Sequence, residues 1–411
     1  MIYIKDKNLL KLIRNTNFRW LILSEIISLT GSNLHYFAIM WYISTKYGSA
    51  SSIGGYVITS MIPYVLFGSF AGLASDMFDK KKVMCIVNII NGFLILSLLF
   101  FVYIDNLSIY YIYAISFLMT TLDLFFSPAK YSMIPILVQE EDLLGANSLL
   151  TSVNEVLRVV LPVFSGMISS LFNLKIVFTV DSISYFLAAI CIYKIYYVEN
   201  NIKKASHSSV REILKELKLG FNYIIESKVI ILVLLISIIL NIVTAPVSTL
   251  SVLFIQDILG LDVKFFGILE AALSIGFIIG TAILNCISKK KFNDIHIIII
   301  GCVLLCIGMS AFSMSKVFQI TLVSYLVIGI AMCITSVAAM TIKQKAIPQE
   351  LMGRVLGISD VIVMFFMSMS VGVTGILADY IGLRYIFMLS GLSVILLIAL
   401  ITIYKKKLLK E

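Results

Sequence analysis

Twelve stretches of roughly twenty or more mostly apolar residues run through the chain, and they constrain its fold more than any motif. They fall near 17–45, 51–74, 83–104, 108–128, 146–171 and 176–197, then near 229–256, 263–288, 295–314, 317–343, 353–380 and 383–405. A helix needs about 20 apolar residues to cross the hydrocarbon core of a bilayer. Helices and closed barrels are the only lipid-exposed structures that satisfy every backbone polar group. Runs of this length predict helices, so the expected fold is an all-α membrane protein of about twelve transmembrane helices. Composition agrees: 13% of residues are charged and 60% hydrophobic, against roughly 25% charged residues in soluble domains. The first stretch is too long for a signal-peptide core and lacks a small-residue cleavage site after it, so it reads as an uncleaved helix.

The formal charge of +9 is dispersed over short loops and makes no nucleic-acid patch. With the N-terminus inside, 26 of the 32 Lys and Arg fall on the cytoplasmic side. Lys46, Lys175, Lys264, Lys316 and Arg384 fall outside, and Arg158 lies within a span. This bias predicts a multi-pass protein with both termini cytoplasmic, and the Ile-, Lys- and Asn-rich usage points to an AT-rich bacterial genome and so to the bacterial cytoplasmic membrane. The six cysteines lie in apolar runs without C-x-x-C spacing, and no metal or cofactor is expected. Between the sixth and seventh spans, Ser209 and Glu212 have capping-box spacing, and Ile213, Leu217, Phe221 and Ile224 share a helical face. An amphipathic helix on the inner membrane surface is expected there.

Features recur about 209 residues apart. Lys80 to Lys82 match Lys289 to Lys291; Gly166, Leu174, Lys175 and Phe178 match Gly375, Leu383, Arg384 and Phe387. Ile134 and Pro135 are echoed by Ile347 and Pro348. The repeat predicts two pseudo-symmetric six-helix bundles, 1–197 and 229–411, joined by a linker at 198–228 that holds the amphipathic helix. Parallel repeats of this kind build transporters whose central site opens to either side.

The motifs carry a family resemblance. The run Gly72 to Lys82, G-L-A-S-D-M-F-D-K-K-K, is similar to the loop signature of the major facilitator superfamily, with Met77 for the usual Arg and Asp79 for the usual Gly. Ser127-Pro128-Ala129 to Ile134-Pro135, Ala146-Asn147, and Thr341 through Pro348 to Gly353-Arg354-Val355 resemble its drug-exporter branch, which includes macrolide-efflux proteins and siderophore exporters. The antiporter Gly-Pro pair is represented only by Leu161-Pro162 with Gly166 following. The resemblance implies a gating loop of Gly72, Asp76, Lys80, Lys81 and Lys82, with Asp76 against the eleventh span, where Asp360 also lies. The alternative for the lysines is a charge cluster that only sets topology.

Ionisable groups within spans are costly, about 2.5–3.5 kcal/mol each by insertion scales, so each needs a reason. Glu25 reads as a lone carboxylate in the first span, a proton-coupling candidate or a neutral hydrogen-bonded group. Asp123, Glu155 and Arg158 are further coupling candidates: Glu155 and Arg158 can pair at i,i+3, and Asp123 could compete for the guanidinium. Asn33, His35, Asn241, Thr244 and Glu270 are cavity-lining candidates, whereas Asp181 reads as structural. Glycines 267, 276 and 280 predict close packing in the eighth span.

No G-x-x-x-x-G-K-[ST] stretch is present, so an ion or substrate gradient is the expected energy source. The leading expectation is no enzyme but a monomeric secondary transporter, coupling protons to efflux of a small amphipathic substrate such as a macrolide-like drug. An exporter or flippase for lysolipid, siderophore or peptide is the alternative. A membrane receptor or accessory protein without transport is the third reading.

Overall fold

A computed structural model describes residues 12, 14–77, 79–139, 142–196, 210–288, 294–348 and 351–408. Thirteen long helices carry these residues: α1 Thr16–Tyr47, α2 Ala50–Met77, α3 Lys80–Tyr103, α4 Ile109–Leu137, α5 Leu143–Leu171, α6 Leu174–Tyr193 and α7 Val210–Glu226. There follow α8 Lys228–Leu253, a short π-helical turn Phe254–Ile258, α9 Val263–Ser288, α10 Asp294–Met314, α11 Phe318–Ala346, α12 Met352–Ile381 and α13 Leu383–Leu408. Except for α7, each helix occupies one of the apolar stretches read from the sequence. Ten of them are long and apolar enough to cross a membrane among the described residues.

Local chemistry sets the helix ends. Asp79 N-caps α3, its carboxylate accepting from the Lys82 amide at 3.0 Å. Ser108 caps α4 and Asn173 caps α6 in the same manner, each satisfying an amide that the first turn would leave unpaired. Two helix boundaries move from expectation. α4 continues through Pro128 and Pro135 to Leu137, and α11 runs to Ala346. Lys130 and Lys343, both counted among the 26 cytoplasmic basic residues, lie within these helices and are buried.

By contacts the chain forms two units. One comprises the described residues of Met1–Tyr42 and Thr59–Ser208; the other comprises Ile43–Ile58 and those of Ser209–Glu411. The first unit is closed at one end by an apolar cluster of Phe18, Leu21, Met84, Met133, Ile134, Leu150 and Ile192, drawn from the converging ends of α1, α3, α4, α5 and α6. α3 shows the membrane pattern clearly: Ile86, Phe93 and Phe100 are exposed, while Asn88, Asn91 and Gly92 are buried. Apolar residues outside and polar residues inside are the arrangement lipid favours.

The second unit holds a cluster of tilted aromatic rings. Phe312 of α10 lies 4.4 Å from Phe254, 4.7 Å from Phe387 and 5.4 Å from Tyr325, centroid to centroid. α9 and α11 pack backbone to backbone. A Cβ on Gly276 would stand 2.2 Å from the Leu326 carbonyl oxygen, and one on Gly329 2.1 Å from that of Leu273. α7 packs within this unit. Its Ile224 is buried with Ile230, Leu234 and Val355, and the Tyr223 hydroxyl donates to the Ala346 carbonyl at 2.6 Å. The side chains of Ile213 and Leu217 lie outside the described residues.

Candidate functional site

The first unit holds several of its ionisable groups in separate pairs. Glu25, 5% exposed on α1, accepts a hydrogen bond from the Lys130 ammonium of α4, itself 8% exposed, at 2.5 Å. Glu25 is therefore not the lone carboxylate expected: α4 extends past Pro128 and brings a lysine to it. Burying two charges requires good mutual geometry, because the effective desolvation penalty is several kcal/mol per ion. The short contact between Glu25 and Lys130 meets that requirement.

A second pair joins α1 to α6. His35 Nδ1 lies 3.3 Å from an Asp181 carboxylate oxygen, with the imidazole stacked on Phe178 at 5.3 Å. Asp181 is fully buried, and Gly31 leaves the room it needs: a Cβ there would stand 2.6 Å from its Oδ1. Asp123 accepts from Asn91 Nδ2 of α3 at 3.1 Å. Glu155 and Arg158 do face each other at i,i+3, at 3.6 Å, with about half of each side chain exposed. Asn33 returns its amide hydrogen to the Leu29 carbonyl of its own helix.

The second unit contains a cavity of about 260 Å³ walled by α8, α9, α10, α11 and α12. Asn241, Thr244 and Asp360 lie in its wall. Lys343, 6% exposed on α11, joins them. Ser237, Thr335 and Ser336 make the polar side of the wall; Phe277, Met332 and Met340 are prominent on the apolar side. Glu270 is instead held in the packing beside the cavity, where it accepts from the Tyr325 hydroxyl at 3.2 Å. That hydroxyl also lies 2.8 Å from the Val247 carbonyl and 2.6 Å from Ser251.

One arrangement carried no signal in the sequence. The carboxylate of Asp379 on α12 accepts from the amides of Ala50 and Ser51 at the start of α2, at 2.7 and 3.1 Å. A carboxylate there meets the positive end of the helix dipole. Gly375 allows the close approach, since a Cβ would be 2.9 Å from the Ala50 carbonyl oxygen.

Among the described residues, no group of three or more His, Cys, Asp and Glu is arranged to hold a metal ion. These side chains can bind, exchange protons and change partners.

The family model described as Major Facilitator Superfamily matches residues 21–371 and 247–409. The chain belongs to this superfamily. Macrolide efflux protein A of Streptococcus pyogenes is 23% identical over 377 residues, covering 90% of this chain and 91% of that protein. Among solved structures, the nucleoside transporter NupG, in a mutant form, superposes with a TM-score of 0.77 at 12% identity, covering 94% of this chain and 99% of that one. A bacterial homologue of the iron transporter ferroportin in its inward-facing state gives 0.73 at 15% identity, with 94% and 98% covered. These likenesses share the superfamily fold. The chain is a multi-pass membrane transporter of the superfamily and not an enzyme. Of the residues in the superfamily-like loop, Lys80 is buried, and the Lys81 ammonium donates to the Ile195 carbonyl at 2.7 Å, just past the end of α6. Lys82 is exposed. The side chain of Asp76 and the surroundings of Gly72 lie outside the described residues.

Proposed function

We propose that this transporter is a secondary active exporter in which proton entry drives efflux of a small amphipathic molecule by alternating access. The observation that carries the reading is the Glu25–Lys130 pair, two charges sequestered between α1 and α4. A proton taken up by Glu25 removes the anion and leaves a buried ammonium alone. That state is tolerable only if the helices rearrange or Lys130 reaches another partner, so protonation and conformation become linked. The name of the streptococcal relative, a macrolide efflux protein, supports the outward direction and a macrolide-like amphipath as substrate.

The test is transport in inside-out membrane vesicles with a panel of hydrophobic antibiotics and lysolipids. Energised vesicles should accumulate at least one compound, and collapsing the proton gradient should release it. Glu25→Gln keeps the side-chain shape but cannot titrate. It should abolish gradient-driven accumulation and the pH dependence of export while substrate still binds. Wild-type pH dependence in Glu25→Gln would remove this residue from coupling and move attention to Asp123 and the Glu155–Arg158 pair. No accumulation across the whole panel would overturn export itself.

A further inference from the structure

The internal repeat identifies what Lys343 lacks. Lys130 stands four residues before Ile134-Pro135, and Lys343 stands four residues before Ile347-Pro348. In the first unit the lysine is matched by Glu25, the tenth residue of α1. The tenth residue of α8, the helix that begins the second half as α1 begins the first, is Ser237. Ser237 and Lys343 line the same cavity. Counted from the helix starts, the second unit thus keeps the lysine and has a hydroxyl where the first has a carboxylate. Among the described residues the Lys343 ammonium makes no hydrogen bond and no ion pair. The residue is more than nine-tenths buried, and the opposite charge nearest in its surroundings is Asp360, which shares the cavity wall and acts on it electrostatically from beyond ion-pair distance. Isolated buried charges are expensive and are normally paired.

The rest of the wall has the opposite character. Ser237, Thr335 and Ser336 each donate their hydroxyl hydrogen to a carbonyl of their own helix, at 2.8, 2.9 and 3.1 Å. Their remaining capacity is to accept. Asp360 adds a full negative charge to the same wall, without lying at ion-pair distance from Lys343. One donor cation and several acceptors therefore share one cavity. From Met332 to Lys343 the wall follows α11 for about 16 Å, at 1.5 Å per residue, with an apolar side chain at one end and the ammonium at the other.

We infer that this cavity binds an amphipathic zwitterion, whose carboxylate occupies beside Lys343 the place that Glu25 fills beside Lys130, whose amine meets Asp360 and the hydroxyl acceptors, and whose apolar body runs toward Met332 and Phe277. The inference rests on the exporter reading for transport alone and, in place of a macrolide-like amphipath, assigns as substrate molecules with an acidic group and an amine at one end.

The full chain in lipid nanodiscs, titrated with 2-aminooctanoic acid, tests it. Saturable binding is expected, weakened at least tenfold by Lys343→Gln and retained within about threefold by Lys343→Arg, which keeps the charge. 2-Aminooctanamide, which keeps the amine and lacks the carboxylate, should bind at least tenfold more weakly than the acid. Octanoic acid, which lacks the amine, should bind more weakly but still depend on Lys343. The sharpest variant is Ser237→Glu, which supplies the missing internal carboxylate. It should abolish binding while leaving the unfolding temperature unchanged or higher, so loss of fold cannot mimic the result. Equal binding of acid and amide, full binding by Ser237→Glu, or no saturable binding by the wild type would overturn the inference. Energised efflux of antibiotics without any of this binding would sink the site and leave export standing. Zwitterion binding with no energised efflux would do the reverse.

Discussion

Two lysines, Lys130 and Lys343, each counted at first among the cytoplasmic basic residues, became the most informative residues of the structure. Nothing in the sequence around Pro128 distinguishes a helix that stops there from one that passes through, because proline removes one intrahelical hydrogen bond but neighbouring helices can compensate. The apolar cluster of Met133, Ile134 and Leu137 against Phe18 and Leu21 carries α4 onward, and Lys130 is drawn inside to Glu25. The pair makes a prediction of its own. Lys130→Met leaves a buried, unpartnered carboxylate and should destabilise the protein by about 3–5 kcal/mol. Glu25→Gln combined with Lys130→Met removes both charges and should recover most of the loss. Thermal unfolding of the single and double variants in detergent measures the coupling. Purely additive losses would mean that the two side chains do not act as a pair. The candidate site was thus half legible. Glu25, Asn241 and Thr244 stood out as polar residues in apolar runs, but which partner each meets depends on helix ends and rotations that one-dimensional spacing leaves open.

At the scale of the element, small residues decide which helices may touch. The glycines of α9 predicted close packing, and the structure names the partner: Gly276 meets the backbone of α11, and Gly280 stands where a Cβ would be 2.8 Å from that of Cys333. Gly276→Val would force a branched side chain into the Leu326 carbonyl, which cannot swing away as a side-chain tip could. A loss of about 1–3 kcal/mol is expected as the two helices separate, read as a lower unfolding temperature. Gly357→Ala on α12, where a Cβ meets nothing within 4 Å, is the matched control and should be neutral or slightly stabilising. Equal effects of the two would show that packing between α9 and α11 is not what Gly276 serves. The amphipathic α7 teaches the complementary point. Its periodic apolar face was visible in the sequence, yet a lipid surface and a protein surface both satisfy such a face. Contacts of Tyr223 and Ile224 place it on α8, α11 and α12.

For the whole molecule, orientation in the membrane follows from charge, and it can be measured directly. With 26 basic residues expected on one side and 5 on the other, cysteines introduced at Lys46 and Lys316 in a cysteine-free background should react with an impermeant thiol reagent added to intact cells. One introduced at His207 should react only after permeabilisation. Labelling of His207→Cys from outside would invert the topology and with it the direction assigned to transport. The burial of Lys130 and Lys343 takes two charges out of the loop count without reversing the excess, so the expectation stands on the remaining residues.

What the sequence determined by itself is the fold class and the number and place of the long helices. Both follow from a local rule, the length of apolar chain needed to cross a bilayer. What tertiary structure decided is pairing. Glu25 chose Lys130, Asp181 chose His35, Asp379 chose the amides of α2, and Lys343 was left sharing a cavity with Asp360 without a direct ion pair. In a low-dielectric interior a charge is stable only beside a specific partner. Partners more than a hundred residues apart are brought together by helix packing, which no local pattern encodes.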